Sequence, residues 1–168
     1  RNSDARAVSA RAKGRGPAVR SDVAEMRARL QGAKPAQGAW DAKNGPGRIM
    51  DIELAAQTLA LLAASPARGV ERQIAAGAGG RMPDSDAQAL LSAYRLQWRL
   101  HAAARLLSDE ALDLDRLGEG ARAFILRETG AASVPDLQSR LADAHQAATA
   151  AVARLMGTAD GETGDGSG

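Results

Sequence analysis

The chain has 168 residues, of which 45% are apolar and only four are aromatic, and it contains no cysteine. This length suits one compact domain with its own core. A chain without cysteine cannot form a disulfide framework or a cysteine-ligated zinc site, and its two histidines make a poor metal set. Because Leu, Ile, Val, Met and Ala must fill the core, the composition favours an all-α fold over packed sheets.

The formal net charge of +2 is distributed unevenly along the sequence. Residues 1–20 carry +5, the tail from Gly157 carries −3, and residues 21–156 between them are neutral. A neutral folded part gives no electrostatic indication of nucleic-acid binding. The most apolar run, 54–64, is far shorter than the roughly 20 residues that cross a bilayer, and no signal peptide is recognisable. We therefore expect a cytoplasmic protein with no nucleic-acid or membrane partner.

Breakers and apolar periodicity divide the chain into three parts. Residues 1–20 mix Ala and Arg with glycines and a proline, and they lack a sustained apolar period, which predicts a basic arm or a truncated linker. Residues 21–156 repeat apolar positions at helical spacing and are predicted to form a helical bundle domain. Residues 157–168 are rich in glycine and acids, a composition typical of disorder.

About five helices are predicted within the bundle. Capping-box patterns at Asp22 with Glu25 and at Ser133 with Asp136 mark helix starts, and Gly130 suits a left-handed helix end. The second predicted helix should be the most buried, because nearly all of its faces are apolar. The predicted helices cover 21–32, 48–64, 86–107, 118–129 and 133–157, with a weaker segment over 70–76.

The long helix over 86–107 is predicted to pack on the helices over 48–64 and 133–157. Its arginines are expected to extend outwards over an Ala-rich bundle. We interpret His101 as a packed core histidine, because no nucleophile or carboxylate can be placed beside it from the sequence. The residues predicted to face the core are Ala87, Leu90, Leu91, Tyr94, Trp98, His101 and Ala102.

The least ordinary stretch is W-D-A-K-N-G-P-G-R-I-M-D-I-E-L-A-A-Q, residues 40–57. Its glycines and proline predict a loop directly before the second helix, with Trp40 as an anchor. Gly45 and Gly47 allow backbone N–H groups to approach a ligand, and the first helical turn offers unpaired donors. Together with the positive charge of Lys43, these donors could hold a phosphate.

Two acids, Asp51 and Glu53, follow in the first turns of the helix and do not share a face. Either could pair with Lys43 or an arginine, or hold a metal ion hydrated on a nucleotide. The plain alternative is a loop-to-helix turn in which both acids favour the helix dipole and Lys43 is solvated. Spacing alone does not decide between these readings.

The order of residues in this stretch resembles a known family. The pattern W-D-x-K-x-G-P-G-x-x-x-D-I-E-x-x-A-Q is similar to the segment after the C-terminal nucleotidyltransferase domain of bacterial glutamine synthetase adenylyltransferase, the bifunctional adenylylating and deadenylylating enzyme. D-V-A-E-M-R-A-R at 22–29 and A-Y-R-L-Q-W-R-L at 93–100 resemble two further helices of that family. The resemblance spans about residues 21–156. Arg48 departs from it, standing where the family usually has glycine, as does Leu54, standing where an aromatic is usual.

The resemblance implies a helical accessory domain of an enzyme that transfers AMP from ATP to a tyrosine of glutamine synthetase in nitrogen regulation. It implies Mg²⁺ and ATP as cofactors of the parent enzyme. The implied partners are the nucleotidyltransferase domain of the same polypeptide, glutamine synthetase and a PII-type regulatory protein. On the same basis, the expected nucleotide-binding or domain-interface residues are Lys43, Gly45, Gly47, Asp51 and Glu53. The bulk and charge of Arg48 weaken the expected nucleotide contact.

The resemblance also implies catalysis by a Gly-Ser followed by an Asp-x-Asp pair that holds Mg²⁺. Asp84-Ser85-Asp86 and Asp113-Leu114-Asp115 have that spelling, but neither follows a Gly-Ser at a suitable distance, so we interpret them as helix caps and loop acids. We expect no catalytic residue, metal site or cofactor in this chain alone, and a catalytic domain before Arg1. The alternative function is a freestanding helical protein–protein interaction module without nucleotide chemistry.

Overall fold

A computed structural model describes the backbone of residues 2–157 and the side chains of residues 16–157. This part of the chain is built from α-helices and contains no strand, which confirms the all-α prediction. The helices are α1 (Asn2–Ala33), α2 (Ile49–Leu62), α3 (Val70–Gly77), α4 (Asp84–Leu107), α5 (Glu119–Thr129) and α6 (Val134–Gly157). None of them is long and apolar enough to cross a membrane, as far as the described residues extend.

Helix α1 begins at Asn2, so the prediction that helical structure starts near Ser21 is wrong. Ala and Arg are among the best helix formers, and their propensity carries the helix through the proline that was read as a breaker. Gly16 is buried, and a Cβ added there would lie 3.8 Å from Leu62 of α2, at ordinary van der Waals distance. The division of the chain into arm, bundle and tail stays a prediction, and the acidic tail beyond Gly157 lies outside the described residues.

The segment predicted as weakly helical is a complete helix, α3, which raises the predicted five helices to six. It packs tightly on α2, because a Cβ at Gly77 would collide with the backbone carbonyl of Leu59. Glycine at this helix end therefore permits a close helix–helix approach as well as marking a break in the sequence.

Two apolar clusters form the core. The first lies among α1, α2, α3, α4 and α6, and its largest fully buried members are Ile52, Leu59, Ile74, Leu90, Val152 and Leu155. The second joins the start of α2 to α4, α5 and α6 through Ile49, Leu100, Leu114, Ile125, Leu137 and Leu141. Helix α2 contributes to both and is the most buried helix, as predicted. Trp40 packs against the second cluster, so the loop before α2 is anchored where the sequence indicated.

The core face of α4 differs from the predicted one. The buried residues are Asp86, Leu90, Ala93, Gln97, Leu100 and Ala103. Trp98, in contrast, is 49% exposed, and Tyr94 and His101 are only partly buried. Gln97 faces inwards, where its Nε2 donates a hydrogen bond to the carbonyl of Gly47 at 2.8 Å. His101 therefore lies at the edge of the bundle and not in its core.

Some of the predicted helix caps are observed and others are not. Ser133 caps α6 as predicted, since its Oγ accepts a hydrogen bond from the backbone N of Asp136 at 3.2 Å, and Gly130 ends α5 with φ +70°. Asp22, in contrast, lies inside α1. Asp86 was predicted to cap a helix, but its buried carboxylate instead receives two hydrogen bonds from Arg154 of α6, at 2.9 and 2.7 Å.

Candidate functional site

The loop before α2 is organised around the carboxylate of Asp41. It accepts hydrogen bonds from the backbone N of Gln37 at 2.9 Å, of Lys43 at 2.9 Å and of Asn44 at 3.1 Å. Burial opposes ionisation, but the three backbone donors and the charge of Arg48 outweigh it and hold the pKa of Asp41 below its ordinary value. A charged Asp41 therefore fixes the path of the chain across this loop.

Arg48, one of the two residues that depart from the family pattern, closes the same loop. Its Nη1 donates to the carbonyl of Asn44 at 3.0 Å and its Nη2 to that of Gly38 at 3.3 Å. Gly45 has φ +121°, and a Cβ there would lie 2.5 Å from Arg48 Nη1 and 3.0 Å from the Cβ of Ala36. The guanidinium thus occupies the space beside Gly45 where a ligand had been expected.

Gly47 joins the loop to three helices. Its N donates to Asp51 Oδ2 of α2 at 2.8 Å, and its carbonyl accepts from Gln97 Nε2 of α4 at 2.8 Å. Its φ is +69°, and a Cβ would collide with the carbonyl of His145 and lie 2.6 Å from Thr149 Oγ1, both on α6. This glycine is required for packing, because no side chain fits between the loop and α6.

Asp51 is buried and pairs with an arginine, which is one of the alternatives that the sequence left open. Arg27 of α1 donates from Nε to Oδ1 at 2.6 Å and from Nη2 to Oδ2 at 3.0 Å. Oδ2 also receives the hydrogen bond from Gly47. Both carboxylate oxygens are therefore engaged inside the fold, in a bridge between α1 and α2.

The backbone donors expected to face a ligand are used within the loop itself. Ile49 N donates to the carbonyl of Ala42 at 3.0 Å, Met50 N to that of Lys43 at 3.1 Å, and Arg48 N to that of Gly45 at 3.2 Å. The expectation of unpaired donors in the first turn of α2 is wrong for these groups. The loop folds back on the helix N-terminus and takes the place that an anion would have occupied.

Lys43 and Glu53 are the two candidate residues that the fold leaves free. Among the described residues, neither side chain takes part in a hydrogen bond or an ion pair. Burial lowers the pKa of His101, and the nearby charge of Lys43 lowers it further. Burial likewise raises the pKa of Tyr94, and Glu53 adds to the shift. The charge of Lys43 thus acts on His101, with which it lines one cleft, and the charge of Glu53 acts on Tyr94.

Tyr94, Trp98 and His101 form a row of rings along α4, which we call the aromatic ladder. Tyr94 and Trp98 are stacked, with ring centroids 6.4 Å apart and planes 11° apart. Trp98 and His101 are 5.9 Å apart with a 33° tilt. The sequence placed these three residues on one face of the helix, but we assigned that face to the core. In sequence, an exposed tryptophan with aromatic residues one helical turn away has the same pattern as a buried tryptophan.

A cleft of about 170 Å³ lies at the His101 end of the ladder, between the loop and the C-terminal half of α4. Its lining includes Trp40, Lys43, His101, Arg105, Glu110 and Leu112. Arg105 in this cleft is already paired with Asp109 at 2.8 Å. The cleft carries charges of both signs and is therefore no strong anion site.

The five candidate residues consequently do not share one site. Lys43 lies at the cleft, and Glu53 lies by the ladder. Gly45 and Asp51 line a small crevice between α1 and α2. Gly47 is buried against α6. A segment that is continuous in sequence thus contributes to four different surroundings.

Neither of the two Asp-x-Asp sequences belongs to a metal site in the described part of the chain. Asp86 pairs with Arg154, and Asp115 N donates to Asp113 Oδ1 at 3.1 Å in the loop after α4. Across the described residues, no group of three or more His, Cys, Asp or Glu side chains is placed to hold a metal ion.

Comparison with known proteins gives matches over most of the chain. The family model described as GlnD PII-uridylyltransferase matches residues 18–160. A bifunctional glutamine synthetase adenylyltransferase/adenylyl-removing enzyme of Caulobacter vibrioides is 32% identical over 137 residues, 78% of this chain and 14% of that protein. Its counterpart in Rhizobium meliloti is 36% identical over 135 residues, 74% of this chain and 13% of that protein.

A third relative, the enzyme of the same name from Rhodopseudomonas palustris strain HaA2, is 31% identical over 149 residues, 85% of this chain and 15% of that protein. The chain thus spans only 13–15% of the length of these relatives. No solved structure matches the chain significantly.

Proposed function

Because the chain belongs to the family of GlnD PII-uridylyltransferase and the glutamine synthetase adenylyltransferases, we propose that it is a helical accessory domain of an adenylyltransferase. The parent enzyme transfers AMP from ATP to a tyrosine of glutamine synthetase. The accessory domain is not catalytic alone and packs beside the nucleotidyltransferase domain of the same polypeptide. Glutamine synthetase and a PII-type regulator are the further partners of the parent.

The observation that carries this proposal is the internal closure of the loop before α2. The residues present do not fit a site for Mg²⁺ and ATP, because Asp51 is engaged by Arg27 and Gly47. The backbone donors at the start of α2 are occupied as well. We therefore place Mg²⁺ and ATP on the nucleotidyltransferase domain and assign the loop to a domain interface.

The closed loop has a mechanical consequence for such an interface. Gly47 fixes the loop to α2, α4 and α6 at once, and Trp40 anchors its start in the second core cluster. A loop held at both ends loses little conformational entropy when a partner binds. Lys43, which lies between these anchors, is thus presented to a neighbouring domain from a fixed position.

Transfer of labelled AMP to glutamine synthetase tests the proposal. The full-length polypeptide that contains this chain is expected to transfer AMP from ATP in the presence of Mg²⁺, and the 168-residue chain alone is expected to transfer none. Transfer by the chain alone, or no transfer by the folded full-length polypeptide, contradicts the proposal.

A second candidate is the freestanding interaction module, which the exposed Trp98 favours as a surface for a partner protein. In that case Asp51→Asn lowers thermal stability because it weakens the pair with Arg27, and no associated transferase activity changes. Glu53→Gln is the matched comparison, since Glu53 has no side-chain partner in the described part of the fold. If Glu53→Gln slows AMP transfer while the melting temperature is unchanged, the accessory-domain proposal is favoured.

A further inference from the structure

The aromatic ladder of α4 lies at the surface and is not part of the buried core. Trp98 is 49% exposed, although it is stacked on Tyr94 and lies against His101. A large ring that is held rigidly and left half in solvent loses little side-chain entropy on binding. Such rings are common among the residues that dominate protein interfaces.

Two unpaired charges flank this surface. Lys43 and His101 line the same cleft, and Glu53 is one of two acids, with Glu71, whose charge acts on the Tyr94 hydroxyl. Other acids of the fold are paired within the chain. Arg27 binds Asp51, and Arg154 binds Asp86. A basic and an acidic group at the two ends of an apolar row favour one orientation of a partner that presents the opposite charges.

We propose that the aromatic ladder, with Lys43 and Glu53 at its ends, is the surface that docks onto the nucleotidyltransferase domain of the same polypeptide. This inference rests on the proposed function. It assigns the interface to one face of α4 and the adjoining loop, and it gives the two free members of the candidate set a common role. The partner surface carries an apolar side chain between an acid and a base.

The size of the surface favours a partner in the same polypeptide. Stable complexes between separate proteins bury about 800 Å² on each partner, whereas this face offers one half-exposed ring and two partly buried ones. Covalent linkage raises the effective concentration of a neighbouring domain to the order of mM, so a small interface suffices. The relatives provide such neighbours, because the matched region is 14% of the Caulobacter vibrioides protein.

The groove between α4 and α6 is a weaker candidate for the same role. Two of its three arginines are already paired, Arg95 with Glu71 at 2.7 Å and Arg140 with Asp136 at 3.1 Å. Half of its remaining lining is alanine, which provides little apolar area to a partner. The ladder combines larger rings with free charges.

Photo-crosslinking in the full-length polypeptide tests the assignment. Benzoylphenylalanine replaces Trp98 in one variant and Leu61 in the control, because Leu61 is also apolar and 61% exposed but lies at the far end of α2. After illumination, position 98 is expected to be joined to peptides of the nucleotidyltransferase domain, and position 61 to none of them. Crosslinks from position 98 to added glutamine synthetase, or to no peptide at all, overturn the proposal.

Rates of AMP transfer provide a second readout. Trp98→Ser is expected to slow transfer at least about tenfold, since truncating an interface tryptophan typically costs that much in affinity. Leu61→Ser is expected to leave the rate within about twofold. Circular dichroism and thermal melting establish that both variants are folded. Equal rates for the two variants overturn the proposal.

The two proposals fail in different ways. If the unsubstituted full-length polypeptide transfers no AMP, the proposed function itself fails, whatever position 98 contacts. If it transfers AMP while Trp98→Ser is as active as Leu61→Ser and position 98 crosslinks to nothing, only the docking surface is wrong.

Discussion

Arg27 of α1 and Asp51 of α2 form a bidentate ion pair in which the Asp51 side chain is 4% exposed and the Arg27 side chain 17%. The pair fastens the long first helix to the start of α2. It also supports the loop, because the same carboxylate holds the N–H of Gly47. Asp51, one of the two acids that the sequence offered as a metal ligand, is therefore part of the scaffold.

Arg27→Ala is expected to destabilise the fold by about 3 kcal/mol, because it leaves a buried carboxylate without its counter-ion. Urea unfolding measures the change. Arg29→Ala is the matched control and should cost less than about 0.5 kcal/mol, since the pair of Arg29 with Glu25 is exposed. Equal stabilities of the two variants would mean that the Arg27–Asp51 bridge contributes nothing.

Gly47→Ala is expected to cost at least about 2 kcal/mol, since a Cβ meets both a left-handed φ and the backbone of α6. Gly130→Ala separates these two causes. Gly130 has nearly the same φ, +70°, but nothing lies within 4 Å of its added Cβ, so only the backbone strain of about 1 kcal/mol applies. A smaller loss at Gly47 than at Gly130 in the same denaturant titration would contradict the packing of the loop on α6.

The pKa of His145 is lowered to about 4, mainly by burial and then by the charge of Arg48, with Asp41 opposing. The folded state thus holds fewer protons than the unfolded state between pH 4 and the ordinary histidine pKa of 6.5. Stability is therefore full above that range and falls as the pH drops through it. An NMR titration of the imidazole should have its midpoint near pH 4, and a midpoint near 6.5 would contradict the buried position. His145→Gln should remove this part of the pH dependence.

The Asp86–Arg154 pair acts in a lower pH range. The hydrogen bonds from Arg154 outweigh burial and lower the pKa of Asp86 below 3.8. Its contribution to stability is present above pH 3.8 and is lost as the pH falls through the lowered folded-state pKa. Arg154→Gln should lower stability modestly at pH 7, because the arginine is largely exposed, and progressively less below pH 4. Thermal melts from pH 7 to pH 2.5 check this, and a cost independent of pH would exclude the ion pair as its cause.

Much of the fold was predictable because local signals agree with each other at most helices. In α6, the cap at Ser133, the apolar period and the final Gly157 all indicate the same element. The face of α4 was mispredicted because it depends on a long-range contact. The position of Gln97 depends on a hydrogen bond to Gly47, 50 residues away in sequence, which no local pattern contains.

In the candidate site, too, local features could be predicted from the sequence, whereas features that depend on distant residues could not. Gly45 and Gly47, which the sequence placed in a loop, both have positive φ. Which donors and acids would remain available could not be predicted, because it depends on distant partners such as Arg27, which is 24 residues from Asp51. Of the five candidate residues, Lys43 and Glu53 have side chains without an internal partner among the described residues, and both can therefore contact another protein.

The most direct test of the central claim is to read the coding sequence upstream of Arg1. The account predicts a nucleotidyltransferase domain there, with a Gly-Ser followed by an Asp-x-Asp pair, so that this chain is the helical companion of a magnesium-dependent AMP transferase. A start codon immediately before Arg1, with no such domain, would contradict the account and leave a freestanding helical interaction module.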